Sequence, residues 1–148
     1  MNREEILTAC TAELNTRSSR LSSGIAELQA ANADNTKSTA GDKHETSRAM
    51  VHLELEKLGN QLKLVEQMQS DLEKAKTMNP AGFIRFGSIV QTNRGYFLLG
   101  VACGKFNVEQ TSVFGLGMLS PLAKQLTGKE KGVTLSLNGN SFSVLSIM

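Results

Sequence analysis

Leucines recur every seven residues at Leu7, Leu14, Leu21 and Leu28, within a stretch from Asn2 to about Asp34 that contains no proline. A repeat of that period places one apolar edge along a long helix. Its companion positions are mixed, because Thr11 and Ser18 stand where a tight coiled coil takes aliphatic side chains, although Ile25 fits. The spacing predicts a helix with a loose seam. A second stretch, from about Glu45 to Lys76, carries Val51, Leu55, Leu58, Leu62, Val65, Gln69 and Leu72 at alternating spacings of four and three. One polar residue, Gln69, interrupts this cleaner seam. Joined by about ten residues rich in Asn, Thr, Ser and Gly, the two segments are expected to fold back as an antiparallel helical hairpin with one apolar stripe per arm. At about 1.5 Å per residue each arm reaches roughly 45–50 Å.

The pattern changes at "KTMNPAGF", where Pro80 disfavours helix at Asn79 and Gly82 loosens the chain. This predicts two domains, a helical hairpin over 1–78 with its tip near 35–46 and a β domain over 79–148. Beyond the boundary the short apolar runs read as strands: "SIVQTN", "YFLLGVAC", "FNVEQTSVF", "GVTLSLNG" and "SFSVLSIM". Asn138-Gly139 marks a hairpin turn between the last two. In "SPLAKQLTGKEKG" Ser120 can cap a helix, Pro121 can occupy its first turn and Gly128 can end it. The expected class is α+β, a hairpin followed by an antiparallel sheet with one short helix. The block "GLGMLS" echoes a dinucleotide fingerprint only superficially, because Ser120 replaces the third glycine and no βαβ unit fits around it.

Charge refines the picture only slightly. Met1 to Met78 holds ten Lys+Arg against twelve Asp+Glu, and the remainder holds six against two. Neither half has the dense basic stripe of a dedicated nucleic-acid binder, so sequence-specific DNA binding is not expected. No segment approaches the roughly 18 apolar residues of a membrane helix, and the start lacks a signal peptide's apolar stretch. A soluble, cytoplasmic protein is expected. Cys10 and Cys103 are the only cysteines and read as reduced, small hydrophobes. No CxxC pair exists, and His44 and His52 are far from either cysteine in sequence, which gives a zinc knuckle no spacing.

The chemistry-bearing stretch is "STAGDKHETSRAM", between the two helical segments. Asp42-x-x-Glu45 has capping-box spacing, with an acid positioned to accept from the first free amides of the second helix. The same residues carry a resemblance. "GDKHE" is similar to the G-D-x-x-E tip of the Gre family of bacterial transcript-cleavage factors. "SPLAKQLTGKEKGVTLSLNG" resembles that family's SPLA-x-x-L-x-GK-x-x-GD-x-V block, with Val133 where the family has Asp. The resemblance covers the whole chain. It implies an FKBP-like second half, RNA polymerase as partner, and a hairpin tip inserted into the polymerase secondary channel, touching nascent RNA only indirectly. It further implies that Asp42 and Glu45 are the tip carboxylates that share a Mg2+ ion with the polymerase, with no metal tightly bound to the factor alone. The protein would not be an enzyme by itself; it would stimulate cleavage of backtracked RNA by the polymerase.

The neighbouring residues leave two readings each. Lys37 and Lys43 contact RNA or polymerase acids, or serve solubility. His44 joins the carboxylates or is simply solvated, and Arg48 pairs with Glu45 about one turn away or is a solvated surface arginine. Where the family commonly continues E-N-A-E-Y, this chain has Glu45-Thr46-Ser47-Arg48-Ala49. It thereby loses an acid and an aromatic ring and gains a positive charge. A channel-binding regulator that does not cleave is therefore the close alternative, and a coiled-coil adaptor the more distant one. An independent isomerase lacks the aromatic lining such a pocket needs, since the chain has no Trp and one Tyr. A condensing enzyme lacks a histidine near Cys103 in sequence.

Overall fold

The computed structural model describes the backbone of residues 1–36 and 42–148 and the side chains of 1–33 and 45–148. Two long helices come first, α1 (Arg3–Thr36) and α2 (Asp42–Lys76). Strands β1 (Ile89–Thr92), β2 (Gly95–Leu99), β3 (Gly104–Val108) and β4 (Thr111–Leu116) follow, then helix α3 (Pro121–Leu126) and strands β5 (Thr134–Leu137) and β6 (Asn140–Ile147). The layout is α+β, as the change of period predicts. Among the described residues no helix is long and apolar enough to cross a membrane.

Contacts divide the chain into two compact units, one of Met1–Leu14 with Met68–Met148 and one of Asn15–Gln67. This division counts the helix ends with the sheet, for a physical reason. Ile6, Leu7, Cys10 and Leu14 from the start of α1, and Leu72 and Ala75 from the end of α2, share one buried cluster with Ile89, Leu98, Phe106 and Val113 of the sheet. The helix ends thus belong to the sheet's core.

The six strands lie in the order β3-β4-β2-β1-β6-β5. All pairings are antiparallel except β2 with β4, which is parallel, with Phe97 opposite Phe114. That exception corrects the expected all-antiparallel sheet. "FNVEQTSVF" is two strands turned at Glu109 and Gln110, where Glu109 has φ 55°. The extra reversal brings β4 back alongside β2 in the same direction. The Asn138-Gly139 turn forms as predicted: both residues have positive φ, 51° and 77°, the backbone a two-residue hairpin needs to match strand twist. Helix α3 also starts as its sequence dictates, with the Ser120 side chain accepting from the Ala123 amide and Pro121 in the first turn.

Both faces of the sheet are covered. Side chains alternate across a strand, so Leu98 enters the cluster with the helix ends while Phe97 and Leu99 enter a second cluster with Val90, Phe142, Val144 and, from α3, Ala123 and Leu126. A strand buried on both sides carries a continuous apolar run rather than alternation. This is why "YFLLG" has no polar positions.

Arg3 joins the parts of this unit. Its Nη1 donates to the Gly87 carbonyl at 2.6 Å and the Met148 carbonyl at 3.2 Å, and its Nη2 to the carbonyls of Ala75 at 2.7 Å and Met78 at 3.3 Å. Burial pulls the guanidinium pKa below its ordinary value, yet arginine remains cationic. Asn2, just before it, caps α1: its Oδ1 accepts from the Glu5 amide, and its own amide donates to the Glu5 carboxylate. That reciprocal pair is a capping box.

In the unit Asn15–Gln67, Leu21, Ile25, Leu28, Val51, Leu55, Leu58 and Leu62 are all half-buried, and Val65 alone among its residues with described side chains is fully buried. Gly24 faces Leu58, where an added Cβ would lie 3.4 Å from the leucine. The seam here is as loose as Ser18 implies, whereas around Thr11 it is closed by the sheet's core. The expectation of a single stripe per helix is corrected on α2, because Met50, Leu53 and Leu64 are 66%, 67% and 63% exposed and their spacing places them on one further face.

Replacing Arg3 with Met removes four hydrogen bonds from a charged donor, while the Ala75 and Met148 carbonyls keep their backbone donors Met78 and Ile89; the change is expected to lower unfolding free energy by about 2–4 kcal/mol in urea titration. Gly59 lies inside α2 with no atom within 4 Å of where a Cβ would stand, so Gly59→Ala is expected to raise stability by about 0.5–1 kcal/mol, read as a higher thermal midpoint by circular dichroism.

Candidate functional site

The candidate site lies where α1 ends at Thr36 and α2 begins at Asp42. Of the residues that sequence reasoning places here, Lys37 lies outside the described residues. Asp42, Lys43 and His44 are helical in backbone, and their side chains lie outside the described ones. Glu45 is exposed and Arg48 half-buried.

Helix α2 counts Asp42 as its first residue. Asp42 and Glu45 therefore both sit within the first turns of α2, three residues apart and on one face of it. A helix N-terminus favours negative charge there through its unsatisfied amides and aligned dipoles. Arg48 follows Glu45 by three residues on the same face. Among the described residues no ion pair joins the two.

The donor chemistry sets what this turn can hold. Two carboxylates offer hard oxygen ligands, which suit Mg2+, but that ion takes six oxygens and keeps its waters unless other ligands and phosphates contribute. Among the described residues no three or more His, Cys, Asp or Glu side chains form a metal-holding group.

Beyond Pro80 two arginines are held by the fold. Arg94 donates from Nε to the Ser141 carbonyl at 2.7 Å and lies 5.6 Å from the centre of the Phe142 ring. Arg85 donates to the Asn79 carbonyl at 2.7 Å and lies 6.0 Å from the Phe83 ring centre. Both are engaged with the fold, which the charge count could not reveal. Lys105, Lys124, Lys129 and Lys131 are exposed. An open groove in this unit, of about 460 Å³, is lined by Glu4, Thr8, Ala9, Ala12, Val108 and Glu109 among others, with no histidine or cysteine. Sequence reasoning missed it because it depends on the β3–β4 turn lying beside the first turns of α1.

Compared with known protein families, curated proteins and solved structures, the chain matches none of them.

Because Glu45 is exposed and close to the end of a helix, Glu45→Ala is expected to change unfolding free energy by no more than about 0.5 kcal/mol. Thermal unfolding of the variant checks this and separates any functional loss from misfolding.

Proposed function

We propose that this protein is a bacterial RNA polymerase-binding transcription elongation factor of the Gre type, acting in the cytoplasm. In this reading the α1–α2 connection enters the polymerase secondary channel and promotes cleavage of backtracked RNA. The observation that carries it is the pairing of two helices of 34 and 35 residues with Asp42 and an exposed Glu45 in the first turns of the second. The resemblance of "GDKHE" and of the "SPLAKQLTGKEKG" block to the Gre pattern supports the same reading, and the sheet with α3 then corresponds to the FKBP-like half.

Mechanistically, Asp42 and Glu45 act as oxygen ligands that complete a site whose other ligands belong to the polymerase. When bound there, a second Mg2+ supplies Lewis-acid stabilisation of the phosphodiester and a lowered pKa for the attacking water. The factor contributes positioning. The carboxylates are carried on a helix rather than a loop, which limits the freedom each must lose on engagement. Lys37 and Lys43 lie close enough in sequence to meet phosphates or polymerase acids, and His44 stands between the two carboxylates in sequence. Catalysis belongs to the assembled complex, not to this chain alone.

A second reading keeps the channel binding without the cleavage. It is favoured by Arg48, a cation three residues after Glu45, in place of the acid of the E-N-A-E-Y pattern. A guanidinium there competes for the carboxylate that the metal requires.

With polymerase stalled in a backtracked complex, added protein and Mg2+ are expected to release short 3′-labelled RNA fragments, and Asp42→Ala or Glu45→Ala to reduce the rate by at least about 100-fold while still binding. Binding without release would replace cleavage by the non-cleaving regulator. Absence of binding would remove the polymerase from the account and leave the coiled-coil adaptor.

A further inference from the structure

Cys10 and Cys103 are 93 residues apart in sequence, yet their sulfurs are 3.8 Å apart. Both are thiols in this structure and both are buried. Cys10 is on α1 and Cys103 follows β2, so their contact lies inside the cluster that holds the first turns of α1 to the sheet. Gly115 on β4 makes room for it. A Cβ at that position would fall 2.3 Å from the Cys103 sulfur and 2.4 Å from the Val101 carbonyl, so the sulfur takes the space that any side chain there would fill.

We infer that Cys10 and Cys103 form an oxidation-dependent cross-link, a modification site that locks the start of α1 to the β2–β3 connection. A disulfide needs the sulfurs at about 2.05 Å, an approach of roughly 2 Å that side-chain rotation and a small backbone shift can supply. The oxidant is a small diffusible peroxide. Cys103 reacts first, since it is 5% exposed against 0% for Cys10 and is flanked by the exposed Ala102 and Gly104. Its deprotonated sulfur attacks a peroxide oxygen. The S–O bond forms, the O–O bond breaks, and the departing oxygen leaves as water, or as an alcohol from an organic peroxide, after taking a proton. Cys103 is then a sulfenic acid. The Cys10 thiolate attacks the Cys103 sulfur, forming the S–S bond and breaking S–O, and hydroxide leaves as water with the second proton. The two sulfurs together lose two electrons, and the peroxide gains them. A dithiol reductant reverses the reaction by thiol–disulfide exchange.

The pairing suits regulation rather than permanent stapling. In a reducing compartment disulfides are mostly transient and redox-sensing, and here the reduced thiols already pack as small apolar groups. Closing a loop of this length removes much unfolded-state entropy. Oxidation therefore stabilises the same fold instead of creating another.

The test exposes the purified 148-residue chain to hydrogen peroxide, alkylates it in denaturant, and measures intact mass and a non-reducing peptide map. The expected product is a monomer two hydrogens lighter, without alkyl groups, yielding a peptide pair joined through Cys10 and Cys103. Its thermal midpoint is expected to rise by about 5–10 °C and to return with dithiothreitol. Cys10→Ser is expected to leave a Cys103 sulfenic acid that dimedone traps. Should that variant fail to fold, the wild-type mass and peptide map decide alone. Two alkyl groups after peroxide treatment, added oxygens without cross-linking, or links only between chains would each overturn the inference.

Discussion

A single guanidinium, that of Arg3, binds four backbone carbonyls contributed by the end of α2, the turn before β1 and the C-terminal Met148. No other side chain type can do this, because only arginine presents five donors in a rigid planar fork. The Ala75 carbonyl lies in the last turn of α2 and the Met78 carbonyl just beyond it, where the helix dipole favours a cation. The four acceptors offset the desolvation that depresses the arginine's pKa. Asn2 and Glu5 fix the start of α1 through their capping box, which holds the guanidinium in register with its acceptors. The ends of both long helices are thereby made part of the same unit as the sheet.

Around that junction the two clusters divide the work of burial. One face of the sheet takes Ile6, Leu7, Cys10 and Leu14 of α1 with Leu72 and Ala75 of α2, and the other takes Ala123 and Leu126 of α3. At roughly 25 cal/mol per Å² of apolar surface removed from water, these two layers are the main favourable term of the unit. The helical pair of Asn15–Gln67 differs in kind. Its seam residues are half-buried, as expected of two helices without a third, and it holds its form through length and regular spacing more than through a sealed core.

That contrast bears on function. The proposed site at the start of α2 belongs to the less buried unit, and its exposed Glu45 is in the proposal one ligand among others that a partner would supply. The Cys10–Cys103 contact belongs to the other unit, in the cluster shared by helix and sheet. The proposed metal and sulfur sites thus lie in different parts of the sequence.

Period and punctuation in the sequence were enough to determine the two long helices, the change to strands after Pro80, the Asn138-Gly139 turn and the Ser120-Pro121 helix start. Each rests on interactions between residues close together in the chain, where spacing and backbone preference are sufficient. Asp42 and Glu45 stand out as candidates in the sequence for the same local reason, as a short pattern in a polar interval between two heptad segments. Tertiary structure alone decided the parallel pairing of β2 with β4, because it follows from the reversal at Glu109 and Gln110, which have no strong turn signature. It alone placed the helix ends in the sheet core, engaged Arg94 with Ser141 and Phe142, and gathered four carbonyls on Arg3. It also brought Cys10 to Cys103. These contacts join residues far apart in sequence, and no local pattern records a distance that only the folded chain creates.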